Sequence, residues 1–131
     1  MAYSKRKHFH QMPSTLKRGG AALKTILCIG TLDSKGPEVQ FIKQQIELKP
    51  GYRALVMDTG SLDEPYFQAD ITGSEVAKAG GSSIREVRAL TEAGPASKIM
   101  TQGAIKITKE LFDAGKFQGV ISIGGDRKSV V

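Results

Sequence analysis

Three short apolar runs, each leading into a glycine, divide the chain into regular units. They are TILCIG (residues 25–30), YRALVMDTG (residues 52–60) and GVISIGG (residues 119–125). Continuous apolar runs of this length, rich in β-branched residues, are typical of strands that are buried on both faces of a parallel sheet. The sequence therefore predicts three parallel strands, each delivering a polar, glycine-containing turn at its carboxyl end.

A helix is predicted between the first and second strands. Ser34 can cap it, Pro37 suits its first turn and Glu38 complements the helix dipole. One apolar stripe recurs at helical spacing, and Pro50 and Gly51 end the pattern. The stripe consists of Val39, Ile42 and Ile46.

The segment between the second and third strands predicts a loop and three helices. Residues 61–73 form the loop, Ser74 and either Ser82 or Ser83 are candidate caps of two short helices, and Ser83 with Glu86 has capping-box spacing. The longest helix follows and ends near Gly115, which is a favourable residue just after a helix. One face of this helix carries Met100, Gly103, Ile107 and Leu111.

Alternating strands and helices define the expected fold class. We predict an α/β, three-layer, Rossmann-like half domain over residues 25–125, with a parallel sheet in strand order 2-1-3 and right-handed crossover helices. A complete doubly wound sheet has five or six strands. Three strands therefore indicate the first half of such a domain, truncated at its C-terminal side.

Charge separates the N-terminal segment from the predicted domain. All of the formal net charge of +6 lies in residues 1–24, because the remainder holds 13 basic and 13 acidic residues. We predict a disordered basic extension there, with an organelle-targeting peptide and an RNA- or membrane-attracting arm as alternatives. The balanced domain itself gives no support for a nucleic-acid-binding face.

Several classes of chemistry are excluded by the residues that are missing. The two histidines, His8 and His10, both lie in the basic extension, so the domain offers no imidazole base for a Ser-His-Asp triad. Cys28 is the single cysteine and is expected to be a buried apolar residue in a reducing compartment. No run is long enough to span a membrane, and a cytoplasmic location is expected.

The turn after the first strand, GTLDSKG, carries the main candidate chemistry. A helix N-terminus at the carboxyl end of a parallel strand offers amide groups and positive potential to an anion. The candidate binding residues here are Gly30, Thr31, Asp33, Ser34, Lys35 and Gly36. Asp33 could hold Mg²⁺ or a ribose and Lys35 could neutralise a phosphate. The structural alternative is that Ser34 only caps the helix, Gly36 only forms a turn and Lys35 is only a solvated cation.

Two further turns add candidates at the same sheet edge. Asp58, at the end of the second strand, could bind a ribose, or it could simply form a turn with Gly60. Gly124 and Gly125 follow the third strand. The sequence SIGGD is similar to the Gly-Gly-Asp-Gly motif of some kinases, but Arg127 stands where the last glycine is needed.

Several blocks in order, including KTILCIGTLDSKGPEVQFIKQQIE, ALVMDTGSL, ADITGSEVAKAGG and MTQGAIKITKELFDAGKFQGVISIGG, resemble one known family. It is the Tm-one-like ATP-binding domain family, also called uncharacterised protein family 0261, which includes a plant protein that restricts tobamovirus replication. The family usually has threonine where this chain has Ser34. The resemblance implies an ATP-binding module with Mg²⁺, whose nucleotide lies against GTLDSKG, DTG and the double glycine.

The resemblance leaves the activity of the whole protein open. A phosphoryl-transfer or ATP-dependent enzyme and a protein-interaction or inhibitory module are the alternatives, although no catalytic set is visible in this chain. The expected partner is a nucleotide, and a protein-interaction module would also bind other proteins. No membrane partner is expected, and nucleic acid is expected only nonspecifically through the basic extension. The full-length protein is expected to be an oligomer.

Residues 126–131 depart from the family pattern. Back-translated as GAT CGG AAG AGC GTC GTG, DRKSVV spells a common sequencing adapter. We therefore expect these residues to be adapter read-through on a truncated gene fragment, and we assign no binding role to Asp126, Arg127 or Lys128.

Overall fold

The structure, a computed structural model, describes residues 17–18 and 21–124. Its strands are β1 (Lys17–Arg18), β2 (Ala21–Ala22), β3 (Lys24–Gly30), β4 (Tyr52–Asp58) and β5 (Gly119–Ile123). Its helices are α1 (Gly36–Leu48), α2 (Gly73–Ala79), α3 (Ile84–Ala89) and α4 (Ala93–Asp113). None of the described helices is long and apolar enough to cross a membrane.

The main sheet has three parallel strands in the order β4-β3-β5. β3, the first predicted strand, lies in the middle, so the predicted order 2-1-3 is confirmed. β3 begins at Lys24, one residue before the predicted domain boundary. The separate pairing of β1 with β2 lies within the segment predicted to be disordered. The remaining residues of that segment, 1–16 and 19–20, lie outside the described part, as do residues 125–131.

Helices cover both faces of the sheet, which confirms the three-layer architecture. On one face, α1 packs its Val39 against Cys28 of β3 and Val56 of β4. On the opposite face, Leu27 of β3 and Met57 of β4 meet side chains of α2, α3 and α4. Neighbouring residues of each strand thus belong to different cores, as the alternation of side chains along a strand requires.

α4 buries the predicted face and crosses α2 at very short range. The four residues predicted for that face are all buried, and they are Met100, Gly103, Ile107 and Leu111. A Cβ atom built at Gly103 would overlap the carbonyl oxygen of Val76, and one built at Gly80 would overlap the carbonyl oxygen of Ile99. Glycine is therefore required at both positions for the two helices to approach each other.

Two of the predicted helix caps are wrong, and one is confirmed. The N-cap of α1 is Lys35, whose side chain makes no cap bond. The Ser34 hydroxyl, which was the predicted cap, is paired with the Thr31 hydroxyl instead. α2 is capped by Thr72, which forms a capping box with Glu75, so Ser74 lies inside the helix. Ser83 caps α3 and accepts a hydrogen bond from the Glu86 amide.

The two edges of the main sheet differ. Beside β4, the segment at Asp70 and Ile71 continues the ladder. The Asp58 amide donates to the Ile71 carbonyl at 2.9 Å, and the Val56 amide donates to Asp70 Oδ2 at 2.8 Å. Among the described residues, β5 pairs with β3 alone, and its Val120 side chain is 56% exposed.

Candidate functional site

The carboxyl ends of the three parallel strands lie level at one edge of the sheet. Gly30, the last residue of β3, pairs with Asp58 of β4 on one side and with Ile123 of β5 on the other. The turns that start at Thr31 and Thr59 therefore leave the sheet side by side, and Gly124 follows β5 at the same edge. This is the position at which open α/β sheets bind their ligands.

The turn between β3 and α1 is held by its own polar groups. The Thr31 carbonyl accepts hydrogen bonds from the amides of Ser34 and Lys35, at 3.3 and 2.7 Å. The Thr31 and Ser34 hydroxyls are 2.7 Å apart, and the Ser34 side chain is exposed. Two hydroxyl groups are thus presented together beside the N-terminus of α1.

Asp33 connects the turn after β3 to the loop after β4. Its Oδ2 atom accepts hydrogen bonds from the amides of Leu62 and Asp63, at 2.8 and 3.1 Å. A Cβ atom built at Gly60 would lie 2.6 Å from Asp33 Oδ1, so a side chain there would displace the carboxylate. Asp33 therefore has a structural role that the sequence did not indicate, and this role leaves Oδ1 as its less engaged oxygen.

Gly36 lies under an aromatic residue. A Cβ atom built on it would overlap Tyr66 Cβ, and the Tyr66 amide donates to the Leu32 carbonyl at 2.9 Å. The loop at residues 61–66 thus covers the first residue of α1. The glycine is needed here for Tyr66 to pack, a role that was not among the sequence interpretations of Gly36 as a binding residue or a turn glycine.

Asp58 is buried and accepts hydrogen bonds from two backbone amides. Oδ1 takes the Leu32 amide at 3.0 Å and the Gly60 amide at 2.8 Å, and the residue is 5% exposed. Burial raises the pKa of this carboxyl group, and the two amide donors only partly offset the rise. Asp58 therefore joins the turns after β3 and β4.

A cleft of about 1090 Å³ runs from these turns along the face of the sheet that carries α4. Its polar end is formed by Thr31, Asp33, Ser34, Thr59 and Ser61. Its other end is largely apolar and lies between α4 and β5. We call this second part the α4–β5 groove, and it is lined by Met100, Ala104, Ile105, Phe112, Phe117 and Ser122.

The basic side chains that line the cleft are already paired with carboxylates. Arg88 Nη1 lies 3.1 Å from Glu64 Oε2, and Arg88 Nη2 donates to the Asp63 carbonyl at 3.0 Å. Lys109 Nζ lies 3.3 Å from Asp113 Oδ2. These pairs are solvent-exposed and therefore weak, so an anion in the cleft would compete with Glu64 and Asp113 for the two cations.

A second, smaller pocket of about 370 Å³ lies on the other side of the loop at residues 61–66. Asp58, Glu64, Thr72 and Arg88 are among its lining residues. Asp58 lies in this pocket and is not among the residues that line the larger cleft.

The structure brings most of the predicted site residues to one edge without making all of them line one pocket. Thr31, Asp33 and Ser34 line the cleft. Lys35 and Gly36 begin α1 beside it, and Gly30 and Gly60 close the strand ends beneath it. Gly124 follows β5 and is exposed, and Gly125 lies outside the described residues. Arg88 and Tyr66 were missed, because no periodic or motif signal marks either one.

The described residues contain no cluster of three or more His, Cys, Asp or Glu side chains suited to a metal ion. Asp33 is the carboxylate at the polar end of the cleft, and the hydroxyls of Thr31 and Ser34 lie beside it. This donor set fits an Mg²⁺ ion that takes most of its ligands from phosphate and water.

The fold and the edge on which the turns converge define a Rossmann-like α/β module. Residues 24–131 match the N-terminal domain of an uncharacterised protein family, UPF0261, and the chain belongs to this family.

The chain is similar to curated proteins of three bacteria. It is 40% identical to a UPF0261 protein of Clostridium tetani over 102 residues, which are 78% of this chain and 25% of that protein. It is 29% identical to one of Brucella suis over 100 residues, or 76% and 24% of the two chains, and 28% identical over the same shares to one of Brucella melitensis. The chain thus spans about a quarter of the length of these relatives. No solved structure matches it.

Proposed function

We propose that the polar end of the cleft binds the phosphate groups of a nucleotide, ATP with Mg²⁺. One observation carries the proposal: Gly30 is level with Asp58 and with Ile123, so the carboxyl ends of three parallel strands meet at one edge of the sheet. Ligands of open α/β sheets bind in the crevice at that edge. The choice of ATP rests on the family resemblance of the sequence.

The chain's own groups suit a phosphate at Thr31–Ser34. A helix N-terminus leaves its first amides without helical partners and carries positive potential. The paired hydroxyls of Thr31 and Ser34 can each turn to donate to a phosphate oxygen. Because Tyr66 covers Gly36, the open approach is over Ser34, on the side of the cleft.

Asp33 is the residue that would hold the Mg²⁺ ion. Its Oδ2 atom is engaged by two loop amides, which leaves Oδ1, beside Gly60, as the oxygen available to an ion. Mg²⁺ is commonly bound by one or two carboxylates together with substrate phosphates, and it neutralises phosphate charge. This charge would add to that of Arg88 and Lys109, which are each paired with a carboxylate, Glu64 and Asp113.

The proposal is tested by NMR titration of the ¹⁵N-labelled 131-residue chain with ATP and Mg²⁺. This chain carries only the strand ends of one half domain, so we expect weak binding, with Kd near the millimolar range and a free energy of about −4 kcal/mol. The amides of residues 30–35 and 59–61 should shift. Adenosine, which lacks phosphates, should shift them much less.

Ser34→Glu and Gln44→Glu form the matched pair for this test. Both residues are exposed, but Ser34 lines the cleft, whereas Gln44 lies on α1 and lines neither pocket. A carboxylate at Ser34 should abolish the ATP-induced shifts by charge repulsion, whereas Gln44→Glu should preserve them. Shifts that survive Ser34→Glu, or that fall outside the strand ends, would contradict the proposal.

A further inference from the structure

We propose that the α4–β5 groove is the seat of a further crossover helix of the same polypeptide, supplied by the part of the protein that follows β5 in full-length family members. On this view the apolar portion of the large cleft is an intramolecular packing surface and not a ligand pocket. The proposal is independent of nucleotide binding, which concerns the polar end of the cleft.

The groove exposes apolar surface that a parallel sheet normally buries. Ile105 and Phe112 of α4 are 62% and 67% exposed, and the Phe112 and Phe117 rings lie 6.1 Å apart at its far end. Purely parallel sheets occur almost only with both faces covered. A contiguous exposed apolar surface of this kind marks a place where another element packs.

The shape of the groove suits a helix. One wall is α4, which contributes the small Ala104 to the groove and the small Ala93 and Ser97 to the adjoining part of the cleft. The floor is β5, which presents Ser122 to the cleft. Small residues on one helix let a second helix approach closely, and packed helix axes lie about 8–10 Å apart.

The handedness of the crossovers predicts which face a following helix takes. The path from β3 to β4 moves one way across the sheet and places α1 on one face, whereas the path from β4 to β5 moves back and places α4 on the other. A further parallel strand beyond β5 continues in this second direction. Because such crossovers are right-handed in about 98% of cases, its helix must lie on the α4 face, over β5.

The relatives are long enough to contain the helix that would occupy the groove. The segment similar to this chain is about a quarter of the Clostridium tetani and Brucella suis proteins, so much more polypeptide accompanies it there. A second copy of this chain is the competing occupant. An antiparallel pairing of two β5 edges would make a mixed sheet, whereas a further crossover helix and strand of the same chain would extend the parallel arrangement already present.

The rate at which an introduced cysteine is labelled tests which element occupies the groove, because the native cysteine is not expected to react. Cys28 is fully buried, and burial raises its thiol pKa to about 11. Ile105→Cys places a thiol in the groove. Lys106→Cys is the matched control, since Lys106 is exposed, follows Ile105 directly and does not line the cleft. Both variants are made in the 131-residue chain and in a chimera that continues after Gly124 with the corresponding part of the Clostridium tetani relative.

The expected result is a selective loss of reactivity in the longer chain. Ile105→Cys should react rapidly in the 131-residue chain and at least about tenfold more slowly in the chimera, where labelling requires local opening. Lys106→Cys should react at similar rates in both. Equal rates for Ile105→Cys would overturn the proposal.

Two other results would also overturn it. Protection of Ile105→Cys that grows with the concentration of the 131-residue chain would assign the groove to a second copy. Protection by ATP and Mg²⁺ would assign it to a ligand. Should the chimera not fold, hydrogen exchange of the helix aligned with α4 in the natural Clostridium tetani protein decides the question: fast exchange on the side aligned with Ile105 would refute the proposal, and slow exchange would support it.

Discussion

The two edges of the main sheet show what completes a parallel strand and what leaves it open. Beside β4, the carboxylate of Asp70 and the backbone of Ile71 provide hydrogen-bond partners for Val56 and Asp58. Helices α2 and α4 then cover the adjoining face with a continuous apolar core. Beside β5 the described structure provides neither, and Val120 and Ile121 are exposed. The comparison teaches that the stability of this unit is concentrated on the β4 side.

The largest expected effect is at the α2–α4 crossing on the β4 side. In Gly103→Val, the new side chain would overlap the Val76 carbonyl, which is backbone and cannot move aside easily. We expect a loss of more than about 4 kcal/mol in the free energy of unfolding, measured by urea denaturation. Ala104→Val is the matched control. Ala104 is half-buried at the edge of the core and lines the groove, where a larger side chain finds space, so the change should cost less than about 1 kcal/mol. Similar losses in both variants would break the comparison.

Two isoleucines of α4 sharpen the same contrast. Ile107 is fully buried toward the β4 side, and Ile105 is exposed in the groove. Ile107→Ala should lower the free energy of unfolding by about 2–5 kcal/mol, because it removes buried methyl groups and leaves a cavity. Ile105→Ala should change it by no more than about 0.5 kcal/mol in the 131-residue chain. A costly Ile105→Ala would mean that the groove is already filled.

The edges themselves can be compared by substituting one residue on each. Asp70→Ala removes the acceptor of the Val56 amide and should cost about 1–3 kcal/mol. Asp70→Asn keeps an acceptor oxygen and should recover most of this loss. On the other edge, Val120→Lys should leave the unfolding free energy nearly unchanged and reduce aggregation, because charged residues discourage edge pairing. Light scattering and urea denaturation together measure both effects.

The smallest expected effect is a pH dependence at the end of β4. Burial raises the pKa of Asp58 above that of the unfolded chain, so the folded state holds its proton more tightly. The contribution of Asp58 to stability is therefore fully present below about pH 4 and falls as the pH rises through the raised pKa. Asp58→Asn should remove this component, since its amide oxygen can still accept from Leu32 and Gly60. An unchanged pH profile in Asp58→Asn would exclude this carboxyl group as its source.

The elements of the sheet could be predicted because each is marked locally. Apolar β-branched runs indicated the strands, and the spacing of Val39, Ile42 and Ile46 indicated α1. The predicted order 2-1-3 agrees with the structure. Gly115 was placed correctly, since it adopts φ of +71° just after α4, a conformation that glycine tolerates.

The details of the site could not be predicted because they depend on contacts between distant segments. Ser34 was a reasonable cap, yet its hydroxyl is taken by Thr31, and helix α1 begins at Gly36. Asp33 was assigned to a ligand, but 29 residues separate it from Leu62, whose amide it accepts. Nothing in the loop sequence indicated that Tyr66 would pack on Gly36.

The loop that carries Tyr66 is pinned at two points. Asp33 holds the Leu62 and Asp63 amides, and the Tyr66 backbone is tied to Leu32 over Gly36. Adding or deleting a single residue between these anchors would force one of them to release. The length of this loop is therefore under stricter constraint than the identity of most of its side chains.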